Sequence, residues 1–193
     1  MARKKYEFRP DKTGPDLLNK LYLTKKQRLS LLKWTLFSLV LLALSLLQDV
    51  ILCHLNIFGA STDLLPCAIF VAGILLGAED GGVFSLCGAA FYQLSGSGPG
   101  YYVIALIPVL TVLLALFRQS YLQKGFAASM LCTAAATLGY AFCIFLIGLF
   151  LEKTTGSRFV SHMLSALYTL VAAPVLYPVV TGINSIGGEA WKE

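Results

Sequence analysis

The sequence predicts an all-α integral membrane protein with about six transmembrane helices, two of them short and glycine-rich. Hydrophobic residues make up 57% of the 193 residues and charged residues only 13%, with a mean hydropathy of +0.74. The core of a soluble domain cannot absorb so much apolar surface. Apolar runs also recur at about 20 residues, the length that crosses a bilayer core of about 30 Å. Ten of the fifteen Lys and Arg residues precede Trp34, so the positive charge lies at one end of the chain.

The chain divides into a basic tail over 1–33, a membrane domain over 34–180 and a short cytoplasmic tail over 181–193. The positive-inside rule places the basic tail in the cytoplasm. Two roles stay open for it: a topology signal alone, or a segment, amphipathic from Leu17 to Leu32, that lies on anionic lipids. A nucleic-acid site is not expected, because the charges sit directly before a membrane span. A cleaved signal peptide is not expected either, since the apolar run starts too late and is too long.

Four segments have the length and composition of membrane spans: Trp34–Cys53, Tyr101–Phe117, Gly125–Leu151 and Phe159–Val180. The apolar stretch after the first one is broken at Glu79-Asp80-Gly81-Gly82, where two acids and two glycines predict a turn. This turn separates two short helices, Leu64–Ala78 and Val83–Leu94. Each is too short to cross a bilayer of full thickness. The pair is therefore shielded by its neighbours, or thins the membrane locally, or re-enters as a hairpin without crossing.

The number of membrane segments is six if both short helices cross and five if they form one kinked span. Cytoplasmic loops carry the excess of Lys and Arg, which discriminates between the two counts. With six segments Arg118, Lys124 and Lys192 lie inside, and only Lys153 and Arg158 lie outside. With five, the first three would lie outside. We therefore expect six segments, with both chain ends in the cytoplasm.

Small residues recur at spacings of three or four through the two short helices: Gly73, Gly77, Gly81, Gly82, Ser85, Gly88, Ala89 and Ala90. Such spacing lets the backbones of neighbouring helices approach closely. We therefore expect this pair to be a packed central element. Its candidate packing or partner contacts are Gly77, Gly81 and Gly88.

Ionisable residues within a membrane are functional candidates by default. Glu79 and Asp80 fall in the predicted cytoplasmic turn, where water solvates them. Asp63, which precedes the short helix that begins at Leu64, is predicted to be its N-cap. Asp49 differs, because it lies next to Gln48 near the outer end of the first span. Either interfacial water solvates it, or it has a specific partner on a neighbouring helix or another protein.

No catalytic residue, metal ligand or cofactor-binding residue is predicted. His54 and His162 lack carboxylate or Cys partners at metal-ligand spacing. An enzyme that acts on lipids remains a third alternative, but Asp49 and His54, the nearest approach to an acid and base pair, do not share a helix face. The five cysteines contain no C-x-x-C pattern and read as small packing residues: Cys53, Cys67, Cys87, Cys132 and Cys143.

A motif from Leu46 to Tyr102 resembles a known family. Its parts are Leu47-Gln48-Asp49-Val50-Ile51-Leu52, Leu55-Asn56-Ile57-Phe58-Gly59 and Thr62-Asp63-Leu64-Leu65, followed by Gly77-Ala78-Glu79-Asp80-Gly81 through Gly88 to Gly96. This order resembles the rod shape-determining protein MreD family, in which a first span ending in Gln leads through a short Gly loop to a Pro-Asp-Leu start of the second. The chain has Thr62 at the Pro position, and Phe91-Tyr92-Gln93 where the family commonly carries an acid.

The resemblance implies a non-enzymatic subunit of the cell-elongation complex in the bacterial plasma membrane. Its implied partners are membrane lipids, an MreC-like protein, and the peptidoglycan synthases, which are a RodA-like protein and a class B penicillin-binding protein. The subunit would help to organise these around cytoskeletal MreB. The residues singled out for such contacts are Gln48, Asp49 and Asp63 with the three glycines.

A second function is open, because the family's topology is thought to resemble the vitamin-binding S component of energy-coupling factor transporters. A vitamin site needs several convergent polar and aromatic groups in a cavity. The candidates are Asp49, Tyr92, Gln93, Tyr101, Tyr102 and Tyr140. Aromatic residues at the ends of spans are more often interfacial anchors, so the scaffold reading is preferred.

Overall fold

A computed structural model describes residues 25–50, 62–122 and 125–186. Within these ranges the chain is all-helical. The helices are α1 (Lys25–Val50), α2 (Leu64–Leu76), α3 (Ala78–Leu94), α4 (Val103–Tyr121), α5 (Phe126–Phe150) and α6 (Phe159–Ser185), with a 3₁₀ turn at Gly156–Arg158. The basic tail before Lys25 and the predictions made for Cys53, His54, Lys124 and Lys192 lie outside the described residues.

Helix α2 is the centre of the bundle. It contacts all five other helices, and every residue from Leu64 to Leu75 is buried. At a rise of 1.5 Å per residue its 13 residues span about 20 Å, less than the bilayer core of about 30 Å. A continuous apolar run without an exposed face indicates that protein, and not lipid, surrounds this helix. The predicted packed central element is therefore found in the described part of the chain.

Helices α2 and α3 form an antiparallel hairpin. Gly77 alone separates them, with φ +97°, a conformation that glycine adopts without strain. Gly81 lies against the backbone of Gly73, so closely that an added methyl group would overlap the Gly73 carbonyl. Further from the turn, Gly88 lies against Ile69. The close approaches at Gly81 and Gly88 therefore join the two arms of one hairpin.

The predicted position of the turn was wrong. Glu79, Asp80 and Gly81 belong to the first turn of α3, and the chain reverses at Gly77. One residue with positive φ is enough to end α2. The two acids then lie at the N-terminus of α3, where the helix dipole stabilises negative charge.

The six helices alternate in direction. Helix α1 ends beside the start of α2, α4 runs back beside α3, and α5 and α6 complete the bundle. We call the end where Gln48, Asp63 and Tyr92 meet the Asp63 end. The opposite end, which contains Gly77 and Arg118, is the Gly77 end. Both ends of the described chain, at Lys25 and Ile186, lie towards the Gly77 end.

Four helices, α1, α4, α5 and α6, are long and apolar enough to span a membrane. They correspond to the four predicted long spans, with shifted bounds: α1 begins at Lys25 and not at Trp34, and α6 continues to Ser185. Helix α1 is attached by a narrow stripe at helical spacing, formed by Phe37, Leu41, Ser45 and Gln48. Most of its other apolar side chains are exposed.

Candidate functional site

Asp63 is the centre of a hydrogen-bond network that joins three helices at the Asp63 end. Its Oδ1 accepts a hydrogen bond from Gln48 Nε2 of α1 at 2.8 Å, and its Oδ2 accepts one from the Tyr92 hydroxyl of α3 at 2.5 Å. The Asp63 backbone N–H donates to Thr169 Oγ1 of α6 at 3.1 Å. The residue directly before the central helix therefore fixes the positions of α1, α3 and α6.

The predicted N-cap role of Asp63 was wrong in its chemistry. Asp63 stands at the N-cap position, but its carboxylate makes no capping hydrogen bond. Gln48 provides the cap instead, because its Oε1 accepts from the Leu65 N–H at 3.1 Å while its Nε2 donates to Asp63. One amide from another helix thus satisfies a free N–H of the first turn of α2 and one carboxylate oxygen.

The electrostatic environment of Asp63 is unusual. No Lys or Arg of the described ranges pairs with it, and the connecting residues 51–61 contain none. Dense protein surroundings raise the pKa of this carboxyl by removing solvent, and the hydrogen bonds from Tyr92 and Gln48 act in the opposite direction. Asp63 keeps some accessible surface because it faces a cavity.

This cavity, of about 180 Å³, lies between α2, α5 and α6 and is closed at one side by the α3–α4 loop. Its polar lining consists of Asp63, Ser97, Thr137, Tyr140, His162, Ser165 and Thr169. Its apolar lining consists of Pro66, Cys67, Pro99, Ala141, Ile144 and Ala166. The Tyr140 hydroxyl is buried and forms no hydrogen bond within the described part of the chain. The cavity therefore combines one carboxylate, several hydroxyls and an unsatisfied phenol.

Asp49 does not line this cavity. It is exposed, and its Oδ1 accepts a hydrogen bond from Ser97 Oγ of the α3–α4 loop at 3.1 Å. A specific intramolecular partner therefore exists, although Asp49 also stays accessible. Of the other aromatic candidates, Tyr101 is exposed, whereas Tyr92 and Tyr140 lie next to Asp63.

Arg118 holds the other end of the central helix. Its Nη1 donates to the carbonyl of Ile74, in the last turn of α2, at 2.9 Å, and its Nε is buried with no hydrogen-bond partner among the described residues. A cation at this point satisfies a free carbonyl and lies at the negative end of the helix dipole. The sequence had indicated only the topological meaning of Arg118. No periodic pattern marks which basic residue at the end of a span turns inwards.

The described residues contain no group of three or more His, Cys, Asp or Glu side chains that could hold a metal ion. Cys67 and Cys132 are buried as predicted, but Cys87 is exposed on α3 and is not a packing residue. The geometry around Asp63 is suited to holding helices together and to binding a small polar group. No nucleophile and base pair is formed there by the described hydrogen bonds.

No family model, curated protein or solved structure matches this chain. The class of protein therefore follows from the fold alone: an all-helical bundle in which four helices are long and apolar enough to cross a membrane.

Proposed function

We propose that this chain is a non-enzymatic membrane subunit of the bacterial cell-elongation complex, which acts by binding partner membrane proteins. The observation that carries the proposal is the bond between Gln48 and Asp63, two residues on which the resemblance to the MreD family rests. These residues join α1 to the central helix, and among the described residues neither one contacts a catalytic group. A structural use of the motif supports a scaffold subunit over an enzyme.

The proposed partner surface is the outer face of α1. Leu39, Leu42, Leu46 and Val50 of this helix are all at least half exposed, and Val50 is 65% exposed. Helix α1 is fixed to the bundle through one narrow stripe, so a wide apolar face is left for the span of another protein. Within a membrane, such association depends on close packing between helices and not on apolar burial as such.

The proposal includes an orientation in the plasma membrane. The hairpin of α2 and α3 crosses twice, which gives six segments, and the Gly77 end faces the cytoplasm. Three observations support this arrangement: the six alternating helix directions, Arg118 at the Gly77 end, and the excess of basic residues before Trp34.

Affinity purification in mild detergent tests the proposal. We expect a tagged wild-type chain to retain an MreC-like protein and the RodA-like and class B penicillin-binding synthases. Leu42→Ala with Leu46→Ala on α1 should lower that recovery. Val171→Ala with Val175→Ala, on the exposed face of α6, is the matched control and should leave it unchanged. Wild-type protein without any cell-wall protein bound contradicts the proposal.

The cavity favours one alternative, a vitamin-binding subunit of an energy-coupling factor transporter. It is polar, and it includes Tyr140 from the predicted vitamin-site residues. However, its volume of about 180 Å³ is below the range of about 300–1,000 Å³ that is usual for small-molecule sites. The same purification distinguishes the two functions, because a bound vitamin or a coupled ATPase would favour transport.

A further inference from the structure

Three of the hydroxyl groups around the cavity donate their protons to other groups of the protein. Thr137 donates to the carbonyl of Thr133 at 3.0 Å, Thr169 donates to that of Ser165 at 2.8 Å, and Ser97 donates to Asp49 at 3.1 Å. Each hydroxyl oxygen still has lone pairs, and Asp63 is an acceptor when ionised. These three hydroxyl oxygens and Asp63 therefore present acceptors to the cavity, and a ligand that meets them must donate.

The charge of the cavity favours a hydrogen-bond donor that is positively charged. Ionised Asp63 has hydrogen bonds but no Lys or Arg partner among the described residues, and it borders the open space together with His162. An ionisable group within a membrane protein normally has a partner of opposite charge. The phenol ring of Tyr140 borders the same space, and aromatic faces attract cations.

The size of the cavity limits the ligand. Its volume of about 180 Å³ is below the range of about 300–1,000 Å³ that is usual for small-molecule sites, so it suits a small group. We propose that the cavity at the Asp63 end binds a small organic ammonium group, whose N–H donors meet the Asp63 carboxylate and the surrounding hydroxyl oxygens. This inference does not depend on the proposed partner proteins.

Two sources could supply such a group: a free amine, or the headgroup of an ethanolamine lipid. The first arm of the test therefore uses the full chain in nanodiscs of phosphatidylglycerol, which has no ammonium group. Radiolabelled ethanolamine is the probe, and unlabelled ethanolamine or ethylene glycol competes with it. Ethylene glycol has the same number of non-hydrogen atoms without the charge. We expect it to compete at least about tenfold more weakly than ethanolamine.

The second arm uses nanodiscs that contain both phosphatidylglycerol and phosphatidylethanolamine. Native mass spectrometry then measures which lipid stays bound to the released protein. If the headgroup is the natural source, wild-type protein should retain the ethanolamine lipid more than Asp63→Asn does. Ethanolamine binding in the first arm without this enrichment identifies a free amine as the source.

Matched variants locate the site. Asp63→Asn removes the charge at nearly constant shape and should weaken ethanolamine binding at least about tenfold. Asp49→Asn removes an exposed acid at the same end of the bundle, outside the cavity, and should change it less than about twofold. If Asp63→Asn does not fold, Tyr140→Phe serves instead, because it removes only the unpaired hydroxyl oxygen. We expect it to weaken binding about threefold or more.

Several results would overturn the inference. They are the absence of both ethanolamine binding and lipid enrichment in wild-type protein, equal competition by ethylene glycol, and equal effects of the Asp63 and Asp49 variants. Unchanged binding in Tyr140→Phe would also overturn it. If wild-type protein binds no ethanolamine and enriches no ethanolamine lipid but still retains the partner proteins, this inference alone is refuted and the scaffold function stays in place.

Discussion

The two ends of the central helix α2 are held in different ways. At the Asp63 end, side chains from three other helices satisfy the start of α2, and a polar cavity remains beside them. At the Gly77 end, two backbones touch at Gly73 and Gly81, and one guanidinium, that of Arg118, reaches a free carbonyl. A buried helix has unpaired N–H groups at its start and unpaired carbonyls at its end, and both need partners away from water.

This difference separates two tasks. The Gly77 end fixes the spacing of the hairpin through a contact that leaves no room for a side chain. The Asp63 end fixes α1, α3 and α6 through polar groups that can also interact with a ligand. Substitutions at the first end should therefore act on stability alone, whereas substitutions at the second should act on stability and binding.

Gly81→Ala should have the largest effect. Its methyl group would overlap the Gly73 carbonyl, a backbone atom that cannot rotate away, so the arms of the hairpin must separate. We expect a loss of about 3 kcal/mol in the free energy of unfolding, at the upper end of the range for overpacking. Reversible unfolding of the purified protein in mixed micelles measures it.

Gly139→Ala is the matched control for Gly81→Ala. Gly139 lies inside α5, and the nearest atom to an added methyl group there is Leu110 Cδ2 at 3.9 Å, an ordinary contact. Alanine is the better helix former, so we expect a gain of about 0.5–1 kcal/mol. Equal losses in both variants would show that the close approach of Gly73 and Gly81 does not determine the stability of the hairpin.

Asp63→Ala should have the second largest effect. It leaves the Gln48 amide and the Tyr92 hydroxyl, two buried side chains, without this acceptor. Unpaired buried groups cost about 1–3 kcal/mol each, and partial rearrangement should limit the total loss to about 2 kcal/mol. Asp49→Ala, which breaks only an exposed bond to Ser97, should stay within about 0.5 kcal/mol. Similar losses in both variants would contradict a central role for Asp63.

Arg118→Met should have a smaller effect, at the opposite end of α2. It removes the bond to the Ile74 carbonyl but keeps an apolar stem of similar length. A hydrogen bond from a charged donor contributes about 1.5–3 kcal/mol, and partial exposure of Arg118 to solvent reduces this to about 1 kcal/mol. Unlike Asp63→Asn, this variant should leave ethanolamine affinity unchanged. A change in affinity would show that the two ends are coupled.

Sequence reasoning succeeded where a long pattern was available. Apolar runs predicted the four long helices, and small-residue spacing predicted the contacts of Gly81 and Gly88. It failed at the turn, because two acids and two glycines look like a loop although Gly77 alone reverses the chain. Acidic residues are favourable in the first turn of a helix, but the composition of this segment did not indicate that a helix begins there.

The candidate site was only partly predictable. Gln48 and Asp63 were selected individually, but no local spacing indicates that residues 15 positions apart on either side of a connection bond to each other. The sequence marks Tyr92 and Tyr140 only as candidate vitamin-site residues, and it does not single out Thr169. These contacts depend on the packing of helices distant in sequence. The signal for these contacts in the sequence is the set of polar residues at interior positions of α3, α5 and α6.

The smallest predicted effect is a pH dependence of stability that should be confined to the Asp63 end. Because the pKa of Asp63 is raised in the folded state, that state keeps the proton to a higher pH than the unfolded chain does. The stability that this group contributes is then fully present below its ordinary pKa of about 3.9, and it declines as pH rises through the folded pKa.

The Asp63→Asn variant cannot show this decline, because its side chain does not titrate. Subtracting the unfolding free energy of the variant from that of wild type removes the contributions that both share, including those of His162. We expect the unfolding free energy of wild type to fall relative to that of the variant as pH rises. The measurement uses phosphatidylglycerol nanodiscs or micelles without an amine. Hydrogen bonds from Tyr92 and Gln48 oppose the effect of burial on the pKa of Asp63. The change in unfolding free energy with pH should therefore be smaller than the changes expected for the substitutions above. Arg118→Met, at the other end of α2, should follow the wild-type pH profile, and a difference that moves in favour of wild type would mean that these hydrogen bonds outweigh burial.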